Sequence, residues 1–309
     1  MIELKEITKK FDNVVVLDNI DLTINKGTAF GLLGSNGAGK STILRLISGI
    51  YNQEGGEITV DGDTVYDNVE TKKRVFFVND ETIQFSTFTL IELKDFYKDY
   101  YPKFSEELFE KMRSTIGLPK DKKISTFSKG MKRQAIVIIA IACQTDYLLL
   151  DEAFDGLDPT MRIIVKRMLV DAMLDRNLTT IISSHNLKEI NELCDTVALL
   201  HDGKIVFSRD LDSVKGNIHK VQVVFPQVSE NLPQNYTIDE LVGEGLEVLH
   251  FEKSQSVYHI IVKGDTEIIK EKIQAKNPIV MDIIPLTLEE IFIYEMEVLG
   301  YDFNSLENK

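Results

Sequence analysis

The sequence predicts an α/β fold, in which a mostly parallel sheet with a helical insertion is followed by a small α+β domain. Short apolar runs alternate with helical segments in the first two thirds of the chain, which is typical of a parallel sheet buried between helices. A glycine-rich loop joins one of these runs to a helical segment. After Lys215 the chain becomes acidic, with eight lysines, no arginine and 16 acids in residues 215–309. We therefore expect a first domain at 1–214, with its helical insertion at about 85–145, and an accessory or regulatory domain at 215–309.

The individual elements follow from apolar runs, which predict strands, and from helical spacing of apolar residues. In the first domain we expect strands at 14–17, 29–33, 57–60, 74–78, 147–150, 179–183 and 196–200. Helices are expected there at 41–48, 90–100, 106–116 and in the stretch after Ser128. In the second domain we expect strands at 221–225, 246–251, 257–262 and 279–284, helices at 267–275 and 288–298, and a loop at 226–236.

Composition and charge restrict the function classes. The chain has 309 residues, 43% of them apolar and 27% charged, which is ordinary globular composition. A net charge of −14 argues against nucleic acid as a main partner, because phosphate backbones repel it. Two cysteines, Cys143 and Cys194, cannot form a disulfide framework and fit a reducing compartment. The longest apolar run, 135–143, is too short to cross a bilayer, and the N-terminal segment lacks the apolar stretch of a signal peptide.

Residues 34–41 match the phosphate-binding pattern G-x-x-x-x-G-K-[ST] in full. The motif follows a predicted strand and precedes a predicted helix, which is the context that it requires. A glycine-rich turn that binds nothing is the alternative, and this context disfavours it. Lys40 is expected to reach the β- and γ-phosphates of a nucleotide and Ser41 to hold Mg²⁺. The predicted nucleotide-binding residues of this segment are Gly34, Ser35, Asn36, Gly37, Ala38, Gly39, Lys40, Ser41 and Thr42.

Two acids end the apolar strand predicted at 147–150. Ligands bind outside the carboxyl ends of the strands in open α/β sheets. We expect Asp151 to bind Mg²⁺, directly or through water, and Glu152 to polarise the water that attacks the nucleotide. Acids at a strand end are common, so this pair gains its weight from the phosphate-binding motif.

Further motifs, in order along the chain, resemble those of the nucleotide-binding subunits of ABC transporters. Residues 127–134 resemble the signature sequence of that family, 156–159 its D-loop, and 183–185 its switch histidine. The resemblance covers about residues 2–210. It implies that Phe11 stacks on adenine, that His185 contacts the γ-phosphate region, and that further nucleotide contacts come from Ser128, Lys129, Gly130 and Asp158. Plain helix capping is the alternative for Ser128, and packing on the sheet is the alternative for Phe11.

Two positions depart from the family pattern. Lys129 stands where the family has the first of two glycines, and it adds a cation beside Ser128. Asp80 falls where the family has a glutamine that contacts Mg²⁺, so a carboxylate replaces an amide as the candidate metal ligand. The resemblance therefore leaves open whether Asp80 binds the metal.

The resemblance implies an enzyme that hydrolyses ATP, with Mg²⁺, to power a separate integral membrane permease. Two ATPase subunits, identical or related, would enclose two ATP molecules at the cytoplasmic face of the membrane. Residues 286–292 resemble the closing sequence of bacterial exporter subunits, which favours export of a hydrophobic compound, a peptide or a lipid. Two alternatives stay open: a soluble ABC ATPase that acts on ribosomes or DNA, and a module that senses ATP without hydrolysing it.

Overall fold

The computed structural model describes residues 1–79, 87–216, 218–226 and 246–298. The chain forms two compact units, Met1–Arg209 and Asp210–Lys309. This division lies a few residues before the one expected at 214/215. Among the described residues, no helix is both long enough and apolar enough to cross a membrane.

The first unit contains two sheets and the helices that cover them. Its strands are β1 (Ile2–Phe11), β2 (Val14–Ile24), β3 (Ala29–Leu33), β4 (Gly55–Val60), β5 (Asp63–Thr64), β6 (Val75–Val78), β7 (Tyr147–Asp151), β8 (Thr179–Ser183), β9 (Thr196–His201) and β10 (Lys204–Asp210), which ends at the division between the units. Its helices are α1 (Lys40–Ile47), α2 (Val69–Lys72), α3 (Leu90–Tyr100), α4 (Glu106–Ile116), α5 (Lys129–Ala142), α6 (Pro159–Arg176) and α7 (Leu187–Leu193).

The central sheet has the strand order β10-β9-β3-β8-β7-β6. The pairs β3–β8, β3–β9, β6–β7 and β7–β8 are all parallel. Strands β3, β7 and β8 are buried along their whole length, as expected for strands covered on both faces. The predicted α/β fold with a parallel sheet is confirmed. Because the strands run in parallel, the loops that follow β3, β6, β7 and β8 leave the same edge of the sheet.

A second sheet, β2-β1-β4-β5, is antiparallel. Strand β1 was not predicted from the sequence. The expectation that the segments at 14–17 and 57–60 belong to the mostly parallel sheet is wrong, because they lie in β2 and β4 of this second sheet. In β1 the apolar residues Ile2, Leu4 and Ile7 are buried while charged neighbours face solvent. Such alternation is typical of an antiparallel sheet with one wet face. Helix α1 joins the two sheets, because its buried residues share one apolar cluster with both.

The helical insertion consists of α3, α4 and the start of α5, and local capping explains where each helix begins. Thr89 and Glu92 form a reciprocal capping box at α3. The Ser105 side chain caps α4, and the Ser128 side chain caps α5. Capping side chains satisfy backbone N–H groups that have no partner inside a helix. The capping role predicted for Ser128 is therefore present.

The second unit is a four-stranded antiparallel sheet with helices packed on it. Its elements are α8 (Leu211–Gly216), β11 (Ile218–Val224), β12 (Glu247–Ser254), β13 (Val257–Lys263), α9 (Thr266–Gln274), β14 (Val280–Pro285) and α10 (Leu288–Val298). The strand order is β12-β13-β11-β14. One face forms an apolar core with Ile269 and Ile273 of α9. Of the loop expected at 226–236, all but Pro226 lies outside the described residues.

Candidate functional site

The phosphate-binding motif forms the loop between β3 and α1. Gly34, Gly37 and Gly39 have φ of 152°, 82° and 110°, which side chains with a Cβ rarely adopt. Space imposes the same requirement at two of these positions. A Cβ on Gly34 would lie 2.3 Å from the Leu200 carbonyl oxygen, and one on Gly39 would lie 2.7 Å from a methyl of Leu17. The loop conformation therefore depends on glycine.

Lys40 is the buried cation of this loop. Its ammonium donates to the carbonyl oxygens of Gly34 and Ser35, over 2.6 and 3.0 Å. Burial lowers the pKa of Lys40, while the charges of Glu152 and Asp151 oppose that shift. The lysine is therefore held within the loop by weak neutral acceptors, close to two acids.

Asp151 links α1 to the ends of two strands. Its carboxylate is buried. Oδ1 accepts hydrogen bonds from Ser41 Oγ at 3.1 Å and from Ser183 Oγ at 2.5 Å. The strand register explains the second contact, since Asp151 pairs with Ser183 across β7 and β8. A serine hydroxyl beside a carboxylate is an all-oxygen donor set, which suits Mg²⁺. Sequence reasoning missed Ser183, although the parallel ends of two predicted strands bring it beside Asp151.

Glu152 and His185 form a direct pair. Glu152 has φ of 48°, and its N–H donates to the Ser183 carbonyl at 3.1 Å. Its Oε2 lies 2.8 Å from His185 Nδ1 and accepts from the His185 backbone N–H at 3.3 Å. Burial raises the pKa of Glu152, and hydrogen bonding to Glu152 raises the pKa of His185. Asp155, which sequence reasoning missed, completes a group whose ligand atoms lie within 4.8 Å of one another.

Hydrogen bonds of Ser184 also hold the segment that carries His185. Ser184 Oγ donates to Glu189 Oε2 over 2.7 Å and accepts from the Asn186 N–H at 3.0 Å. Glu189 is 3% exposed, and its other oxygen lies 3.6 Å from Arg162 of α6. This network connects the segment that carries His185 to the helix that follows the D-loop.

The signature and D-loop segments contact each other. Ser128 Oγ accepts from the Met131 N–H at 3.2 Å. A Cβ on Gly130 would lie 2.8 Å from the Gly156 carbonyl oxygen, so no side chain fits between the two backbones. Asp158 caps α6 by accepting from two backbone N–H groups, over 3.1 and 3.0 Å. Within this chain Asp158 therefore has a capping role, and its predicted contact with nucleotide stays a prediction.

The predicted adenine-stacking residue lies at the end of β1. Phe11 is 38% exposed and packs edge-on against Tyr51, with ring centroids 5.3 Å apart. The ammonium of Lys9 lies 5.1 Å from the Phe11 ring centroid. Sequence reasoning missed Tyr51, for which the sequence gives no signal beyond its place shortly after α1.

The segment after β6 is described only as far as Asn79. Asn79 is buried, and its carbonyl oxygen accepts from Arg133 of α5 at 3.1 Å. Asp80, the candidate metal ligand, lies outside the described residues. Its predicted role therefore stays a prediction.

Comparison with curated proteins gives three informative relatives. The ABC transporter ATP-binding protein YtrB of Bacillus subtilis is 31% identical over 95% of this chain and 97% of YtrB. The methionine import ATP-binding protein MetN of Staphylococcus saprophyticus is 30% identical over 79% of this chain and 76% of its own. The linearmycin resistance ATP-binding protein LnrL of Bacillus subtilis is 30% identical over 74% and 76%.

The family model and a solved structure agree with these relatives. A solved ATP-binding subunit of an ABC transporter has a TM-score of 0.64 and 23% identity, and the match covers 70% of this chain and 92% of that one. This likeness supports the fold. The family model described as "ABC transporter" matches residues 17–155, and YtrB matches over nearly its whole length. The chain therefore belongs to the ATP-binding subunits of ABC transporters, and it is an ATPase of that family.

Proposed function

We propose that this ATPase drives a separate membrane permease and that the transport is export of a hydrophobic compound, a peptide or a lipid. The observation that carries the proposal is the set of contacts at one sheet edge. There Ser41, Asp151 and Ser183 form one hydrogen-bonded group, and Glu152 and His185 form the adjoining one. A phosphate loop, a carboxylate for a metal and a carboxylate for water are the parts that phosphoryl transfer to water requires.

The phosphates of ATP would bind at the loop after β3. The backbone N–H groups at the start of α1 and the helix dipole favour negative charge there. Lys40 would exchange its two carbonyl acceptors for phosphate oxygens, which are stronger acceptors for a cation. Phe11, which is 38% exposed, would offer its ring to adenine, with Tyr51 packed against that ring in a T-shaped arrangement.

Ser41 and Asp151 would hold Mg²⁺, with Asp80 as a further candidate ligand. When bound, the ion would neutralise charge on the β- and γ-phosphates. Ser183 would orient the Asp151 carboxylate, since its hydroxyl already donates to Oδ1. The donor set supports this assignment because oxygen ligands are the ones that Mg²⁺ prefers.

Glu152 would act as the general base. Its carboxyl pKa is raised by burial, which makes the carboxylate a stronger proton acceptor. A water oxygen attacks the γ-phosphorus and gives its proton to Glu152, and the bond from that phosphorus to the bridging oxygen of ADP breaks. His185 would hold the Glu152 carboxylate through Nδ1 and present its other ring nitrogen to the γ-phosphate.

The nucleotide site would be completed by a second subunit, either a copy of this chain or a related one. Ser128 and Gly130 start a helix of 14 residues, and Ser128 is exposed. The positive end of such a helix attracts phosphate. ATP held by the loop of one subunit would be closed by the signature segment of the other, and this closure would move the permease.

The direction of transport rests on two supports. Residues 286–292 resemble the end of exporter subunits, and a resistance protein is among the relatives. A methionine import protein is equally similar in identity, so the relatives do not agree on direction. Transport of a labelled hydrophobic antibiotic by membrane vesicles containing the chain and its permease would separate efflux from uptake.

The activity itself is tested with Glu152→Gln in the full chain. The variant should bind ATP normally, lose turnover by about 10²–10⁴-fold and accumulate as an ATP-dependent dimer by light scattering. Lys40→Ala serves as the control that fails to bind nucleotide. Normal turnover by Glu152→Gln would overturn the assigned base. A wild-type chain that binds ATP but never hydrolyses it, with its permease present, would favour the ATP-sensing alternative.

A further inference from the structure

The side chain of Lys129 lies next to Gly156, the glycine of the D-loop. Lys129 is the first residue of α5, directly after the cap Ser128, and Gly156 lies in the turn between β7 and α6 with φ of 77°. A Cβ built on Gly156 would lie 3.3, 3.4 and 3.5 Å from Cδ, Cγ and Cε of Lys129. Three consecutive carbons of the lysine stem are therefore in van der Waals range of that position.

The backbones of the signature turn and the D-loop also approach each other closely. A Cβ on the next residue, Gly130, would meet the Gly156 carbonyl oxygen at 2.8 Å. The first turn of α5 thus approaches the D-loop at two places, through bare backbone at Gly130 and through an aliphatic stem at Lys129. A lysine stem commonly covers apolar surface, but this one lies over Gly156, a residue in a left-handed conformation that has no side chain of its own.

The stem, rather than the charge, is the part of Lys129 that the chain holds in place. Lys129 is exposed. In the part of the chain that the structure describes, its ammonium takes part in no ion pair or hydrogen bond. Nothing in the described subunit therefore fixes the head group, whereas the methylenes have a defined surface against them.

We propose that Lys129 is a positioning residue that clamps the D-loop to the signature turn within one subunit. Ser128 precedes the clamp and Asp158 follows it by two residues, so the clamp makes these two side chains move as one unit towards a second subunit. The inference rests on the proposed function for its role in turnover, while the clamp itself is a property of the single chain. ATP first binds at the phosphate loop, so losing the clamp should affect closure more than initial binding.

Two substitutions at one position separate stem from charge in the full-length chain. Lys129→Ala removes both and keeps helix propensity, and Lys129→Met keeps a stem of similar length without charge. Lys132→Ala is the matched control, the same change three residues along the same helix. Hydrogen exchange of the amides at 154–158 in the nucleotide-free protein measures the clamp, and ATP turnover measures its consequence.

Lys129→Ala should speed exchange at 154–158 by about three- to tenfold, as expected for coupled neighbours, and lower kcat at least threefold with KM changed less than twofold. In Lys129→Met, both the rise in exchange rate and the fall in kcat should be less than half as large. Lys132→Ala should leave the exchange of 154–158 as in wild type. Unchanged exchange in Lys129→Ala, or equal damage from Lys129→Met, would overturn the clamp. If the wild-type chain shows no turnover even with its permease present, the proposed function fails, and the exchange measurement still decides the clamp.

Discussion

Ser183→Ala tests whether Ser183 stabilises and orients the buried carboxylate of Asp151, its neighbour across β7 and β8. Ser183 is 0% exposed, and its hydroxyl donates to Asp151 Oδ1 over 2.5 Å. The substitution leaves the longer bond from Ser41 Oγ, at 3.1 Å. Losing a hydrogen bond to a charged group costs about 1.5–3 kcal/mol. We expect the free energy of unfolding to fall by about 2 kcal/mol, with little cavity term because only one oxygen is removed.

Urea denaturation in Mg²⁺-free buffer measures this loss. The chain contains no tryptophan, so circular dichroism is the suitable signal. Thr179→Val is a matched control on the same strand: Thr179 is 1% exposed, and its hydroxyl accepts from the Gly27 N–H at 2.8 Å, a bond without charge. This near-isosteric change should cost about 1 kcal/mol.

Ser183→Ala should also weaken the binding of Mg²⁺. If Asp151 holds Mg²⁺, removing the group that orients it should reduce the apparent Mg²⁺ affinity by about 10–100-fold. A Mg²⁺ titration of ATP turnover gives this number, and Thr179→Val should leave it near the wild-type value. If Ser183→Ala costs no more stability than Thr179→Val and the Mg²⁺ titration is unchanged, the hydroxyl does not orient Asp151 and the reasoning is wrong.

Three further changes probe other parts of the molecule. Gly130→Ala would place a Cβ 2.8 Å from the Gly156 carbonyl and should cost about 1–3 kcal/mol, measured by urea denaturation, with turnover reduced further. Glu189→Gln should weaken the hydrogen bond from Ser184 Oγ and remove the ion pair with Arg162. We expect a lower kcat, with ATP affinity retained in a filter-binding assay. Burial raises the pKa of Asp61, but donors from the amino terminus, a tyrosine and a lysine outweigh it and hold the pKa far below its ordinary range. Its stabilisation is therefore present above about pH 4 and lost as the pH falls below that value, and Asp61→Asn should flatten the dependence of unfolding free energy on pH there.

The sequence predicted the parallel core well because its signals are local. Strands β3 and β8 were predicted with the bounds that the structure has, since β3 is a short apolar run and β8 is rich in β-branched residues. Helices α3 and α4 were also predicted with the observed bounds, from helical spacing. Strand β1 was missed because half of it faces solvent, so its apolar residues are interrupted by charge. Its pairing with β2 and β4 is a tertiary choice that no local window contains.

The site shows the same division between motif and packing. Lys40, Asp151 and Glu152 stand out by motif or by position at a strand end. Ser183 and Glu189 act through contacts that only the folded sheet creates. Their residue types are unremarkable in the sequence, because a serine or glutamate becomes important only when it is buried against a specific partner.

The unsatisfied backbone donors at the start of α5 give a reason why the site would need a second subunit. The groups for metal and water meet within one chain, where Asp151 accepts two hydroxyl donors and Glu152 pairs with His185. The signature helix instead begins at an exposed surface, and the Ser128 side chain satisfies only the N–H of Met131 there. An α-helix leaves four such donors without a partner inside the helix, so this end retains capacity to bind an anion that the subunit itself does not supply. ATP bound at the loop of another subunit would supply that anion, and turnover would then rise with protein concentration in the range where the dimer assembles.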